Sequence, residues 1–140
     1  MQFLTPPTIN LIVVILEALI LAGLFFGYYL IRFKHNRAAH EKNQTTWVFF
    51  NLVPILFVMA MSYPRLAAAN TLMPLVAIHA ASGTICELLG IYLILRMKNK
   101  LPQGLRVKNF KRVMQITLTL WTLQALGGFY IYYSLYIRGA

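Results

Sequence analysis

The stretch from Leu72 to Leu95, LMPLVAIHAASGTICELLGIYLIL, decides the fold, and Arg96 follows it. At about 1.5 Å per residue, a helix of this length is long enough to cross a hydrocarbon layer of about 30 Å. His79 and Glu87 interrupt the otherwise apolar run. Ionisable groups at membrane depth are costly, so each is either paired with a neighbouring helix or part of a functional site. We therefore predict a membrane-spanning helix that carries two residues of special interest.

The composition of the whole chain is that of a membrane protein. Hydrophobic residues make up 59% and charged residues 11%, whereas about a quarter of a soluble domain is charged. The net charge is +10, but Lys and Arg lie in short segments between apolar runs rather than on one face of a folded module. This distribution predicts bound membrane lipids and argues against nucleic acid as a partner. The single Cys86 excludes intramolecular disulfides and Cys-based zinc sites.

Four apolar segments predict an all-α fold, a four-transmembrane-helix bundle that forms one integral membrane domain over residues 1–140. The predicted spans are 9–31, 47–69, 72–95 and 113–137. Pro6 and Pro7 suit the first turn of a helix, and basic residues follow the first span, unlike a cleavable signal peptide. Gly23 and Gly27 have the small-residue spacing that allows two helices to pack closely.

The basic residues predict the orientation of the bundle. Eleven of the thirteen Lys and Arg residues lie after the first span and after the third. The positive-inside bias therefore predicts that these two loops are cytoplasmic and that both termini lie outside. The expected location is the plasma membrane of a prokaryote, with the protein as a multi-pass integral component.

Three ionisable side chains from three spans are predicted at comparable depth near the outer side. Glu17 and His79 each lie roughly 10–12 Å below the outer end of their helix, and the long side chain of Arg65 reaches along the second span. Isolated charges at this depth cost several kcal/mol, so we expect them to pair. The structural interpretation is a Glu17–Arg65 pair with His79 hydrogen-bonded to either. The functional interpretation makes Glu17 and His79 ligands of a metal or haem, or parts of a quinone or proton site.

Glu87 is predicted on the same face of the third span as His79, because eight residues correspond to slightly more than two helical turns. Gln124 of the fourth span is expected near the midplane, and it is a candidate partner of Glu87, as are Thr119 and Thr122. A chain of Glu87, Gln124 and Glu17 would resemble a proton path. The competing interpretation is that these polar residues only hold the helices together.

The run from Asn109 to Trp121, NFKRVMQITLTLW, is followed by Gly128 and an aromatic end. It resembles the last helix of DUF420, a family of small four-helix bacterial and archaeal membrane proteins that includes an assembly factor of the caa3-type oxidase. His40 and His79 match histidines of that family. The resemblance implies four membrane helices, an outside N-terminus and a role beside a respiratory oxidase.

The chain also departs from that family. Further histidines of the family, near the outer end of the second helix and before the fourth, correspond here to the region Tyr63-Pro64-Arg65 and to Asn109-Phe110. A haem b ligated by two histidines needs two facing imidazoles, and His79 is the only histidine in a predicted span. His79 is therefore the best single candidate for a haem b or copper ligand, without an evident second ligand.

No phosphate-binding loop, activated nucleophile or exposed carboxylate pair is visible, so we predict no catalytic site. The leading hypothesis is a non-catalytic accessory or assembly subunit of a larger membrane metalloenzyme, of the haem-copper oxidase or copper monooxygenase type. Its partners would be other transmembrane subunits of that complex. The alternative is a small electron-transfer protein that uses His79 to bind haem b or to react with quinone. A third hypothesis, a small transporter, needs a path past Glu87.

Overall fold

The computed structural model describes residues 6–59 and 73–138, and within these ranges the chain is helical and contains no strand. The predicted all-α class is therefore confirmed. The helices are α1 (Pro6–Arg32), α2 (Arg37–Val53), α3 (Met73–Met97) and α4 (Phe110–Tyr132). π-Helical turns extend α2 over Pro54–Met59 and α4 over Tyr133–Ile137, and Gln103–Leu105 form a 3-10 turn.

Helix α2 begins at Arg37, well before the predicted start at Trp47. Asn36 is its N-cap, and its side-chain Oδ1 accepts a hydrogen bond from the Ala39 N–H at 3.0 Å. A side chain at this position satisfies one of the free N–H groups of the first turn. His40, which the sequence placed in a loop, therefore lies on the helix. Hydropathy marked only the apolar part of α2 and missed its polar first turns.

Helices α1 and α2 pack closely at two glycines of α1. A side chain at Gly23 would overlap the indole of Trp47, and one at Gly27 would overlap the amide of Gln44. The Asn43 side-chain amide donates a hydrogen bond of 2.8 Å to the Gly23 carbonyl. The structure thus shows the close helix packing that the glycine spacing predicted.

All four helices contribute to one apolar core. Its buried members are Ile20, Leu24, Val48, Cys86, Ile94 and Trp121. Each helix also presents large apolar side chains outward: Leu19 is 52% exposed, Phe49 50%, Leu88 62% and Leu123 59%. Two segments, Leu11–Arg32 and Pro74–Met97, are long and apolar enough to cross a membrane.

The segment between α3 and α4 folds back on the end of α3. The Tyr92 hydroxyl donates to the Leu105 carbonyl at 2.7 Å and accepts from the Val107 N–H at 3.2 Å. Lys98 forms an ion pair of 3.1 Å with Glu41 of α2. These contacts connect the end of α3 to the segment that follows it and to the first turns of α2.

Candidate functional site

Polar side chains on the inner faces of the four helices form two groups. We call the first, Glu17, His79, Ser82 and Gln124, the His79 group, and the second, Asn51 with Glu87, the Glu87 pair. Each group joins residues from different helices, and a small cavity lies between the two. The sequence predicted Glu17, Arg65, His79, Glu87 and Gln124 as one cluster, and of these Arg65 lies outside the described residues.

Gln124 is the centre of the His79 group. Its Nε2 donates to the His79 carbonyl at 2.7 Å and lies 3.2 Å from the imidazole Nε2. Since an amide nitrogen only donates, the His79 Nε2 is the acceptor, and the ring proton of the neutral imidazole is on Nδ1. The Ser82 hydroxyl donates to Gln124 Oε1 at 2.6 Å. One side chain of α4 therefore makes three contacts with α3.

Glu17 and His79 meet against the two glycines of α4. An added Cβ at Gly128 would lie 2.6 Å from Glu17 Oε2 and 3.3 Å from His79 Cε1, and one at Gly127 would lie 3.3 Å from His79 Nδ1. The two glycines thus leave room for a carboxylate of α1 and an imidazole of α3 on the same surface. The predicted Glu17–Arg65 pair stays a prediction.

The Glu87 pair joins α2 to α3 inside the bundle. Asn51 Nδ2 donates to Glu87 Oε2 at 2.9 Å, and only 7% of Asn51 and 5% of Glu87 are exposed. Glu87 Oε1 is buried and has no hydrogen-bond partner in the part of the chain that the structure describes. Of the candidate partners named for Glu87, Gln124 makes its described hydrogen bonds to His79 and Ser82 instead.

Sequence reasoning gave no role to Asn51, although a signal for it exists. It is the only amide in the apolar run from Trp47 to Met59. A lone amide in such a run needs a partner, because leaving a buried polar group unsatisfied costs about 1–3 kcal/mol. Hydropathy cannot identify that partner, and the structure supplies it as the Glu87 carboxyl.

A cavity of about 30 Å³ separates the two groups. Its polar lining consists of Glu17, Asn51 and Gln124, and the remaining wall is mainly apolar, with Trp121 and Ala125 of α4 among its residues. A buried water needs about 10–15 Å³ and two to four polar partners, so the space suits roughly two water molecules. The His79 group and the Glu87 pair are therefore neighbours across a polar space.

His40 lies at a different place in the bundle. Its Nδ1 is 2.7 Å from the Gly27 carbonyl and donates to it, and the ring is 4% exposed. His79 lies beside Gly127, on the other side of the apolar core. Within residues 6–59 and 73–138, no three His, Cys, Asp or Glu side chains gather into a group that could hold a metal ion. The predicted haem b or copper ligand role of His79 stays a prediction.

No family model, curated protein or solved structure matches this chain. The resemblance to the DUF420 family therefore stays a prediction from the residues quoted above. The function has to be argued from the polar groups and from the surface of the bundle.

Replacing Gln124 with leucine is expected to lower the free energy of unfolding by about 1–3 kcal/mol. Hydrogen bonds between helices in membranes contribute on average about 0.6 and at most about 1.7 kcal/mol each, and this change removes contacts to both His79 and Ser82. Unfolding of the protein in detergent, followed by circular dichroism, measures the loss. Gln115→Leu is the matched control, because Gln115 is an exposed residue of the same helix. Equal stability of the two variants would contradict the role of Gln124.

Proposed function

We propose that this chain is a four-transmembrane-helix protein with both termini outside and its basic loops in the cytoplasm. Support comes from the two segments long enough to cross a membrane and from the exposed apolar side chains on all four helices. The clustering of Lys and Arg after α1 and around the segment between α3 and α4 supports the same orientation.

Within that arrangement we propose a non-catalytic accessory or assembly subunit of a larger membrane metalloenzyme. The observation that carries this proposal is the bond between Gln124 and His79. A haem iron or a copper ion binds a ring nitrogen of histidine, and the Nε2 of His79 is already engaged by the Gln124 amide. This hydrogen bond joins α3 to α4, which supports a role for His79 in the packing of the two helices.

The other polar contacts inside the bundle support the same role. Asn51 joins α2 to Glu87 of α3, and Asn43 and His40 of α2 donate to carbonyls of α1. Polar groups thus connect neighbouring helices, while many large apolar side chains lie on the outer faces. Such a bundle is suited to contact lipids and the helices of other subunits through its surface and to keep its shape through its interior.

The resemblance to the DUF420 family favours a respiratory oxidase as the host complex. A haem-copper oxidase is the first candidate, and a copper-dependent membrane monooxygenase is the second. The electron-transfer alternative, in which His79 binds haem b or reacts with quinone, requires that Gln124 release Nε2 or that the ligand use Nδ1, which faces Gly127.

Purification from native membranes tests this function. The tagged protein is crosslinked in intact cells, extracted in mild detergent and analysed by mass spectrometry and optical spectroscopy. We expect mass spectrometry to identify crosslinks between this chain and transmembrane subunits of a metalloenzyme. We expect the optical spectrum to show no haem absorption from this chain itself. Crosslinking before extraction also captures a transient assembly factor.

Two results would contradict the proposal. Recovery of the crosslinked protein without any metalloenzyme subunit would remove the accessory role. A Soret band in the isolated chain that disappears in His79→Ala but persists in His35→Ala would favour the electron-transfer alternative. His35 is a matched control because it lies in the exposed link between α1 and α2.

A further inference from the structure

Most of the wall of the cavity between the His79 group and the Glu87 pair is apolar, and its polar side chains offer mainly hydrogen-bond acceptors. Both amide hydrogens of Gln124 are directed at His79, one at the carbonyl and one at Nε2. One amide hydrogen of Asn51 is bound by Glu87. The polar side chains that line the cavity are Glu17, Asn51 and Gln124, whose carboxylate and amide oxygens accept hydrogen bonds, and the indole of Trp121 forms part of the same wall.

This chemistry points to an occupant that donates hydrogen bonds and carries positive charge. Among the residues that the structure describes, no side chain donates a hydrogen bond to Glu17. A carboxylate enclosed by apolar walls is unfavourable without a donor or a compensating charge. Water molecules in the cavity would donate hydrogen bonds to the Glu17 carboxylate, and a bound proton would neutralise its negative charge.

We propose that the cavity is a hydrated proton-binding site, in which Glu17 takes up and releases a proton through the enclosed water. In uptake, one O–H bond of a hydronium ion breaks, an O–H bond forms on a Glu17 carboxyl oxygen, and a neutral water remains. Release is the reverse step. The protonated carboxyl then donates to cavity water, which in turn donates to the amide oxygens of Asn51 and Gln124. This site goes beyond the proposed subunit role and does not depend on it.

The groups around Glu17 favour this assignment. From α3, His79 faces it as a neutral imidazole, and from α4 the described neighbours are Gln124 and Gly128, which carry no charge. From α2, Asn51 lines the same cavity and binds the buried Glu87, which is not itself part of the cavity wall. In the described part of the chain, Glu17 therefore faces no fixed cation that would hold it ionised.

The chain offers an unusually simple test because it contains only three acidic side chains, Glu17, Glu41 and Glu87. Infrared spectra of the full-length protein in lipid nanodiscs are recorded as a function of pH in H₂O and in D₂O. We expect a carbonyl band of a protonated carboxylic acid that grows as pH falls and shifts in D₂O. The component of this band that is lost in Glu17→Gln and kept in both Glu41→Gln and Glu87→Gln belongs to Glu17. Circular dichroism confirms that each variant is folded.

A second variant tests the role of the enclosed water in the otherwise native site. Ala125 is buried at the cavity wall, so Ala125→Val fills part of the space. We expect the D₂O shift of the Glu17 band to become slower in this variant. Ala22→Val is the matched control, because Ala22 is exposed on α1.

Three results would overturn the proposal. The first is the absence of a band assigned to Glu17, as for a carboxylate held in a permanent ion pair. The second is an exchange rate that Ala125→Val leaves unchanged. The third is a titration that moves when sodium replaces choline at constant ionic strength, which would make the cavity a metal-cation site. None of these results depends on whether the chain co-purifies with a metalloenzyme.

Discussion

Replacing Gly23 with leucine is expected to force α1 and α2 apart and to lower the free energy of unfolding by about 1–3 kcal/mol or more. Even a Cβ at this position would overlap the indole of Trp47. The Trp47 N–H donates to Asn43 Oδ1 at 3.2 Å, and the Asn43 amide donates to the Gly23 carbonyl at 2.8 Å. The substitution therefore disturbs a connected set of contacts. Unfolding in detergent, followed by tryptophan fluorescence and circular dichroism, measures the effect.

Gly104→Leu is the matched control for this variant. Gly104 lies in the segment between α3 and α4, and an added Cβ there meets nothing within 4 Å. We expect its stability to stay within about 0.5 kcal/mol of the native chain, as for most surface substitutions. Equal stability of Gly23→Leu and Gly104→Leu would contradict the close packing of α1 against α2 at Gly23.

The second large effect is expected for Asn51→Leu. This change removes the one hydrogen bond that the described residues make to the buried Glu87 carboxyl, and it leaves both carboxyl oxygens without a described partner. An unsatisfied buried polar group costs about 1–3 kcal/mol, and more when it is charged. We expect the double variant Asn51→Leu/Glu87→Leu to be more stable than Asn51→Leu alone, because two apolar groups in contact need no partner. A double-mutant cycle of unfolding free energies measures the coupling.

Glu41→Leu is the control for Glu87→Leu, because it removes a carboxylate from a partly exposed ion pair instead of from a buried hydrogen-bonded pair. Glu41 pairs with Lys98 at a partly exposed position, where an ion pair contributes about 0–1 kcal/mol. Its loss is expected to be small, and to show little coupling to Lys98→Leu. Additive effects of Asn51→Leu and Glu87→Leu would mean that the two side chains do not depend on each other.

The positions of the helices could be predicted from local properties of the chain. Long apolar runs marked α1 and α3 to within a few residues, and the spacing of Gly23 and Gly27 indicated a close helix contact. The start of α2 was missed because its first turns are polar. Asn36 begins that helix through its capping hydrogen bond, and hydropathy does not detect a cap.

The identity of the polar residues followed from the sequence, but their pairing did not. Glu17, His79, Glu87 and Gln124 stand out in apolar runs, since each is costly at such a position. Which of them meet depends on the rotation of each helix about its axis. A rotation by one residue, about 100°, moves a side chain from the core to the surface.

The sequence by itself thus determined that the chain forms apolar helices, each with a few polar side chains that need partners. Only the tertiary structure decided that Gln124 bonds His79 and Ser82, that Asn51 bonds Glu87, and that a cavity lies beside Glu17. Hydropathy and capping depend on neighbours along the chain. Pairing between helices depends on the packing of all four, and contacts such as those at Gly23 and Gly128 set how closely and at what rotation the helices meet.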